Sequence, residues 1–248
     1  MINITYNTYS ILDLITIASL ILNLFLSIPV SINKFKSFIR RRSLKILLGN
    51  DNITIHIPSR AMIDRIKPVV AMEDYQTFEN VRNVLEENKF MVELKYIPVS
   101  GDIEINPQNA NIVICGPKNS YMVKAIFDNL RGLSFVEEDG KWFFMDEQEN
   151  KMYSPMDEIP KQNGDIAFLG KVNLDNRLSH SILLICGIHA IGSLGIATFL
   201  NNKNLLDSLL KKVKKKKFYS IIYSAHSNDN KDIYTSAIHY DAREINEE

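Results

Sequence analysis

SILLICGIHAIGSLGIATFL, residues 181–200, joins two patterns in one stretch. The first part is a short apolar run rich in Ile and Leu, as expected of a strand buried on both faces. Gly187 breaks that run, and a glycine-bearing turn leads into a helix-forming segment. A strand that turns into a helix in this way points backbone N–H groups at the carboxyl edge of a sheet. NIVICGPKNS, residues 111–120, repeats the arrangement: a buried strand, a Gly-Pro break, and Asn119 or Ser120 capping the next helix.

The rest of the chain can be placed around these two junctions. NITIHI (52–57), MVELKYIPV (91–99), DIAFLGKV (165–172) and FYSIIYSA (218–225) read as strands, the last of them closing the series. Residues 73–87 have helical apolar spacing at Tyr75, Phe78, Val81 and Val84, and another helix starts near Asn201. SFVEEDGKWFFMDEQENKMY reads as a β-hairpin turning at Asp139-Gly140, and YSPMDEIP as a loop. The expected fold class is α/β: a Rossmann-like, mostly parallel sheet with helices on both faces and an inserted β-hairpin.

The N-terminal end differs in kind. Residues 14–33 carry no charge, and as a helix they would extend about 30 Å, the thickness of a bilayer's hydrocarbon core. Lys34, Lys36, Arg40, Arg41, Arg42 and Lys45 follow, whereas the first ten residues hold no Lys or Arg. A signal peptide has the opposite charge order. The expected organisation is a transmembrane helix over 1–33, a basic juxtamembrane segment over 34–50, a cytoplasmic α/β domain over 51–240 and an acidic tail over 241–248. The positive-inside rule places the N-terminus outside and the domain in the cytoplasm, at the inner membrane. Asp13, Thr16, Ser19, Asn23 and Ser27 share one helical face. Such a stripe suits self-association or a water-filled path between copies, giving a homo-oligomer, with a tetramer as the expected form. The alternative is that the hydroxyls satisfy carbonyls of their own helix.

The 248-residue chain has 29 Lys+Arg against 29 Asp+Glu, a balance that argues against bulk nucleic-acid binding. Cys115 and Cys186 have no metal-type spacing and read as buried reduced thiols, so neither metal nor cofactor is expected. Candidate ligand-binding residues are Gly116, Lys118, Asn119 and Ser120 at one junction and Gly187, His189, Gly192 and Ser193 at the other. Glycines allow close backbone approach to a ligand, and the polar groups suit an anion of nucleotide or oligonucleotide type. The spacing Gly187, Gly192, Gly195 is neither the dinucleotide fingerprint nor a Walker A loop. The glycines could equally serve tight turns and helix–strand packing, and His189 could be an ordinary hydrogen-bonded histidine. His56 and Arg60 carry the same two readings. Asp157 and Glu158, side by side in an extended loop, make a poor acid/base pair, although one of them could reach His189. The lysine run KKVKKKK, 211–217, reads as a solvated charge face or an anion contact.

NIVICGPKNS, MYSPMDE, DIAFLGKVN and LLICGIHAIGSLGIATFL together resemble an uncharacterised group of bacterial and archaeal α/β domains. The plan of the chain also resembles bacterial antiviral defence effectors in which a short transmembrane segment precedes a nucleotide-sensing domain, the CARF-type CRISPR membrane effectors above all. That resemblance implies an oligomer gated by a cyclic or linear oligonucleotide, and the expected outcome is membrane permeabilisation or ion conduction. No enzymatic activity is expected, because no nucleophile–base–orienter set stands out in the sequence. It transfers no ligand residue individually. The alternatives are a membrane-tethered nucleotide or NAD hydrolase and a non-catalytic adaptor.

Overall fold

The computed structural model describes residues 11–63, 65–158, 163–173, 181–213, 217–226, 233–238 and 243–245. The chain divides into two units, Met1–Arg42 and Ser43–Glu248.

Helix α1, Ile11–Leu48, is continuous, so the boundary expected near residue 33 is not a break in the backbone. Ile15, Leu20, Ile21 and Leu22 on it are exposed, as are Phe35 and Phe38. Among the described residues no helix is long and apolar enough to cross a membrane. The transmembrane span expected over 1–33 is therefore not found among the described residues. Of the expected polar stripe, the side chains of Asp13, Asn23 and Ser27 lie outside the described residues. The Ser19 hydroxyl donates to the Thr16 carbonyl at 2.9 Å, a bond within its own helix.

The second unit is built on one eight-stranded sheet. Its strands are β1 (Asn52–Pro58), β4 (Met91–Ile97), β5 (Ala110–Ile114), β9 (Gly164–Asn173), β10 (Ser181–Gly187), β11 (Phe218–His226), β12 (Ile233–Ile238) and β13 (Arg243–Glu244). The order runs β12-β11-β9-β10-β5-β1-β4, with β13 beside β11. Strands β1, β4, β5, β10 and β11 point one way; β9, β12 and β13 point the other. The fold is thus α/β with a mostly parallel central sheet. Alternation along β1 sends Ile53, Ile55 and Ile57 into one core and leaves Thr54 and His56 on the opposite face. The first core is closed by α2 (Met72–Glu87), α5 (Ala190–Asn201) and α6 (Lys203–Val213). The other core lies under α3 (Tyr121–Asn129) and a three-stranded sheet of β6 (Leu133–Glu138), β7 (Lys141–Asp146) and β8 (Lys151–Tyr153). The turn between β6 and β7 needs positive φ, and Asp139 at 52° and Gly140 at 76° supply it.

Several expectations change. Strand β9 is antiparallel to both neighbours, because residues 174–180 are too few for a crossover helix. Strand β11 is not the last: β12 and β13 both pair with it, so the expected acidic tail contributes Arg243 and Glu244 to the sheet. A small hairpin, β2 (Arg60–Met62) with β3 (Arg65–Val69), follows β1. The YSPMDEIP segment contains the one-turn helix α4, Pro155–Glu158, rather than extended chain.

Phe168 of β9 is fully buried, 5.0 Å edge-on from the Phe127 ring and 5.9 Å from the stacked Tyr219 ring. Phe168→Ala should cost about 3–5 kcal/mol through lost burial and a residual cavity, read as a lower urea midpoint for the unit.

Candidate functional site

Two strands fix the site. Strands β5 and β10 are adjacent and parallel, with Ile114 opposite Ile185. The Cys115 N–H donates to the Ile185 carbonyl at 3.1 Å, carrying the pairing one residue past β5. Both chains then turn off the sheet together. A Cβ placed on Gly116 would lie 3.4 Å from Cys186 Sγ and 3.7 Å from the Gly187 carbonyl. The two junctions, separated by some seventy residues of chain, therefore wall one cleft of about 160 Å³. Arg60, just after β1, and Asp74 of α2 complete it.

Gly187 has no freedom to carry a side chain. A Cβ there would fall 2.1 Å from the His189 carbonyl oxygen and 2.7 Å from the Ser193 amide nitrogen. The close fit brings the first turn of α5 against the strand end. The Gly187 N–H donates to Ser193 Oγ at 3.0 Å. Lys118 reaches across from the other junction: its Nζ donates to the Ile188 carbonyl at 2.8 Å and lies 5.4 Å above the Trp142 ring. Burial lowers the Lys118 pKa from its ordinary value, while Asp157 and Asp165 pull it back up. Arg60 Nη2 donates to Asp74 Oδ2 at 2.6 Å. Asp74 is buried, which raises its pKa, and the Arg60 charge opposes the rise.

His189 is the N-cap residue of α5, but its side chain caps nothing. Its backbone N–H donates to Asp165 Oδ2 at 3.0 Å, and its ring Nε2 lies 2.9 Å from Asp157 Oδ2. The helical turn α4 aims Asp157 at His189; an extended loop would have splayed Asp157 and Glu158 apart. Asp165 is fully buried, and burial pushes its carboxyl up to about 6 despite the opposing His189.

Six of the eight expected ligand residues therefore line one cleft: Gly116, Lys118, Asn119, Gly187, His189 and Ser193. Ser120 and Gly192 do not line it. The buried Ser120 hydroxyl donates to the Gly101 carbonyl at 2.6 Å and receives the Val123 N–H at 3.4 Å, so it caps α3. Gly192 makes room for a carboxylate: a Cβ there would sit 2.3 Å from Asp165 Oδ2. His56 is not part of this cleft; its Nε2 meets Asn111 Oδ1 at 3.0 Å inside the sheet. Of the lysine run, Lys211 and Lys212 end α6, while residues 214–216 lie outside the described residues. Sequence reasoning missed Asp74 and Asp165. The available signal for Asp165 was a lone carboxylate at the head of an otherwise apolar strand.

Cys115 lines the cleft as a protonated thiol, since burial pushes it up to about 12; burial also raises Cys186. Neither supplies a thiolate nucleophile. Among the described residues no group of three or more His, Cys, Asp or Glu side chains is placed to hold a metal ion. No protein-family model, curated protein or solved structure matches the chain.

Asp165 holds its proton more tightly in the folded state, at about 6 against the ordinary 3.8. Its contribution to stability is complete below about pH 4 and lost as pH rises to about 6. Asp165→Asn keeps an acceptor for the His189 N–H and cannot ionise. Urea titrations at pH 4.5 and 7 should show the variant gaining stability relative to wild type as pH rises; equal differences at both pH values would remove Asp165 as the source.

Proposed function

We propose that this chain is a ligand-responsive effector whose α/β unit binds a phosphate-bearing ligand of nucleotide type. The observation that carries the reading is the convergence of two strand–helix junctions and two cations, Arg60 and Lys118, on one cleft. Helix N-termini and backbone amides favour anions, and Arg adds bidentate donors suited to phosphate. A volume of about 160 Å³ lies below the roughly 300–1,000 Å³ usual for whole ligands. It accommodates one phosphoryl group, with the remainder of the molecule lying outward. An incoming phosphate competes with Asp74 for Arg60, so binding exchanges one ion pair for another and frees a buried carboxylate. That exchange gives the ligand different affinities for two local arrangements, the requirement for any signal.

Helix α1 supplies the output in this reading. Its exposed Ile and Leu side chains, its charge-free stretch over 14–33 and the cluster Lys34–Lys45 suit an apolar bilayer bordered by anionic headgroups. Copies associated there, at the cytoplasmic membrane, would permeabilise it when the ligand binds, as in antiviral defence.

A second reading rests on the 2.9 Å contact between His189 Nε2 and Asp157 Oδ2. Asp157 accepts the Nε2 proton and fixes the tautomer, leaving Nδ1 to accept a proton. Water attacking the ligand's phosphorus gives its proton to His189 as the new P–O bond forms. The P–O bond to the leaving group breaks, and the proton passes to that oxygen. The chain is then a membrane-tethered nucleotide hydrolase.

The test uses full-length protein in detergent with inorganic phosphate, mononucleotides, and linear and cyclic oligonucleotides. A binding ligand at a hundred times its Kd should raise Tm by about 5–10 °C. Arg60→Gln and Lys118→Met should each weaken binding at least about tenfold, as expected for lost charge-assisted contacts. No shift with any of these compounds overturns the binding reading. Dye release from liposomes on adding the binding compound supports the effector. Turnover of that compound, lost in His189→Ala while its binding persists, supports the hydrolase instead.

A further inference from the structure

Strand β4 ends the sheet order and pairs only with β1 among the described residues. The Met91 N–H donates to Asp51 and the Ile97 carbonyl accepts from Ser59, so the odd-numbered residues of β4 direct their backbone groups inward, at β1. In a parallel ladder the intervening residues direct theirs the other way. Val92, Leu94 and Tyr96 therefore present N–H and C=O groups along the open edge of the sheet. A row of that kind is a template for another strand.

The side chains restrict what that strand can be. Edge strands ordinarily use charge to prevent pairing. Here the charges are Glu93 and Lys95, of opposite sign and two residues apart. An antiparallel copy of the same strand, with its two-fold axis at Leu94, sets Leu94 opposite Leu94 and Val92 opposite Tyr96 as hydrogen-bonded pairs. It sets Glu93 opposite Lys95, twice, at the closer non-hydrogen-bonded positions, and Met91 opposite Ile97. Every pair is apolar with apolar or acid with base. Sliding the second copy by two residues one way opposes Glu93 to Glu93; the other way opposes Lys95 to Lys95. Sliding by one residue turns every side chain to the wrong face and misaligns the donors.

Nearby features agree with a partner at this edge. Met91 and Tyr96 are 67% and 56% exposed, large apolar groups on an otherwise well-buried sheet. Lys95 has an acidic neighbour in Glu104, but only at 3.9 Å, and Glu104 is 91% exposed, which leaves Lys95 available for a better-placed carboxylate. We infer that β4 is a homodimer interface: two copies of this chain pair through it antiparallel about Leu94, in a register set by the Glu93–Lys95 crossing, and continue one sheet across both molecules.

The register makes the proposal testable apart from any association through α1. Full-length Glu93→Cys and Lys95→Cys proteins are prepared separately, mixed and mildly oxidised. The expected product is a disulfide-linked dimer in the mixture, at least about tenfold over either variant alone, because non-hydrogen-bonded cross-strand pairs have the spacing a disulfide needs. Equal linkage in the separate variants, or none in the mixture, overturns the interface. Sedimentation gives an independent check. Glu93→Lys should weaken dimerisation at least about tenfold, and adding Lys95→Glu to it should restore wild-type affinity. Both positions lie at the open edge of the sheet, and circular dichroism confirms that each variant folds. A Glu93→Lys protein that associates like wild type, or a double variant that fails to recover, overturns the proposal.

Discussion

Parallel pairing between β5 and β10 is the constraint on which the cleft depends. Neither strand–helix junction is a site alone. Each has a glycine, a few polar groups and a helix start, which many α/β proteins use only for packing. Because the two strands are neighbours with the same direction, both chains leave the sheet at one edge. The Cys115–Ile185 hydrogen bond holds them level. Gly187 then allows an approach that any side chain would block. Arg60 and Lys118 line the same space, and Asp74, Asp157 and Asp165 set the field in which those cations stand.

That electrostatic arrangement is mixed in sign. A cleft with only cations would attract any anion and hold it against many others. Here each cation already has a partner, Arg60 with Asp74 and Lys118 with a carbonyl. A ligand must offer more than those partners do. Asp165 adds a second layer, because it grips the backbone of His189 from inside the core, and Gly192 leaves it the room to do so. The position of the histidine is therefore set by a group that does not line the cleft.

Much of this was legible in the residues. The strand–helix alternation, the Asp139-Gly140 turn and the placing of six of the eight expected ligand residues at one cleft follow from periodicity and turn chemistry, which are local. What escaped was non-local or low in contrast. The direction of β9 depends on where its chain returns, and only the seven-residue link before β10 hinted at it. Strand β12 is short and lies among Asn, Asp and Lys, where loops also occur, so pairing with β11 rather than propensity defines it. The contact of Asp157 with His189 needed one turn of helix in a segment that reads as a Pro-bounded loop. Asp165 reads as a strand terminus, and only the folded chain sets the first turn of α5 beside it.

The two thiols give this architecture a further property. Cys115 and Cys186 sit at the strand ends under the cleft, buried and held in their unreactive neutral form. An alkylating reagent in solution meets the fully buried Cys186 only when the junctions part. Its labelling rate therefore counts opening events at the spot where the two halves of the cleft join. The chain thus carries its own recorder of how often this edge of the sheet breathes.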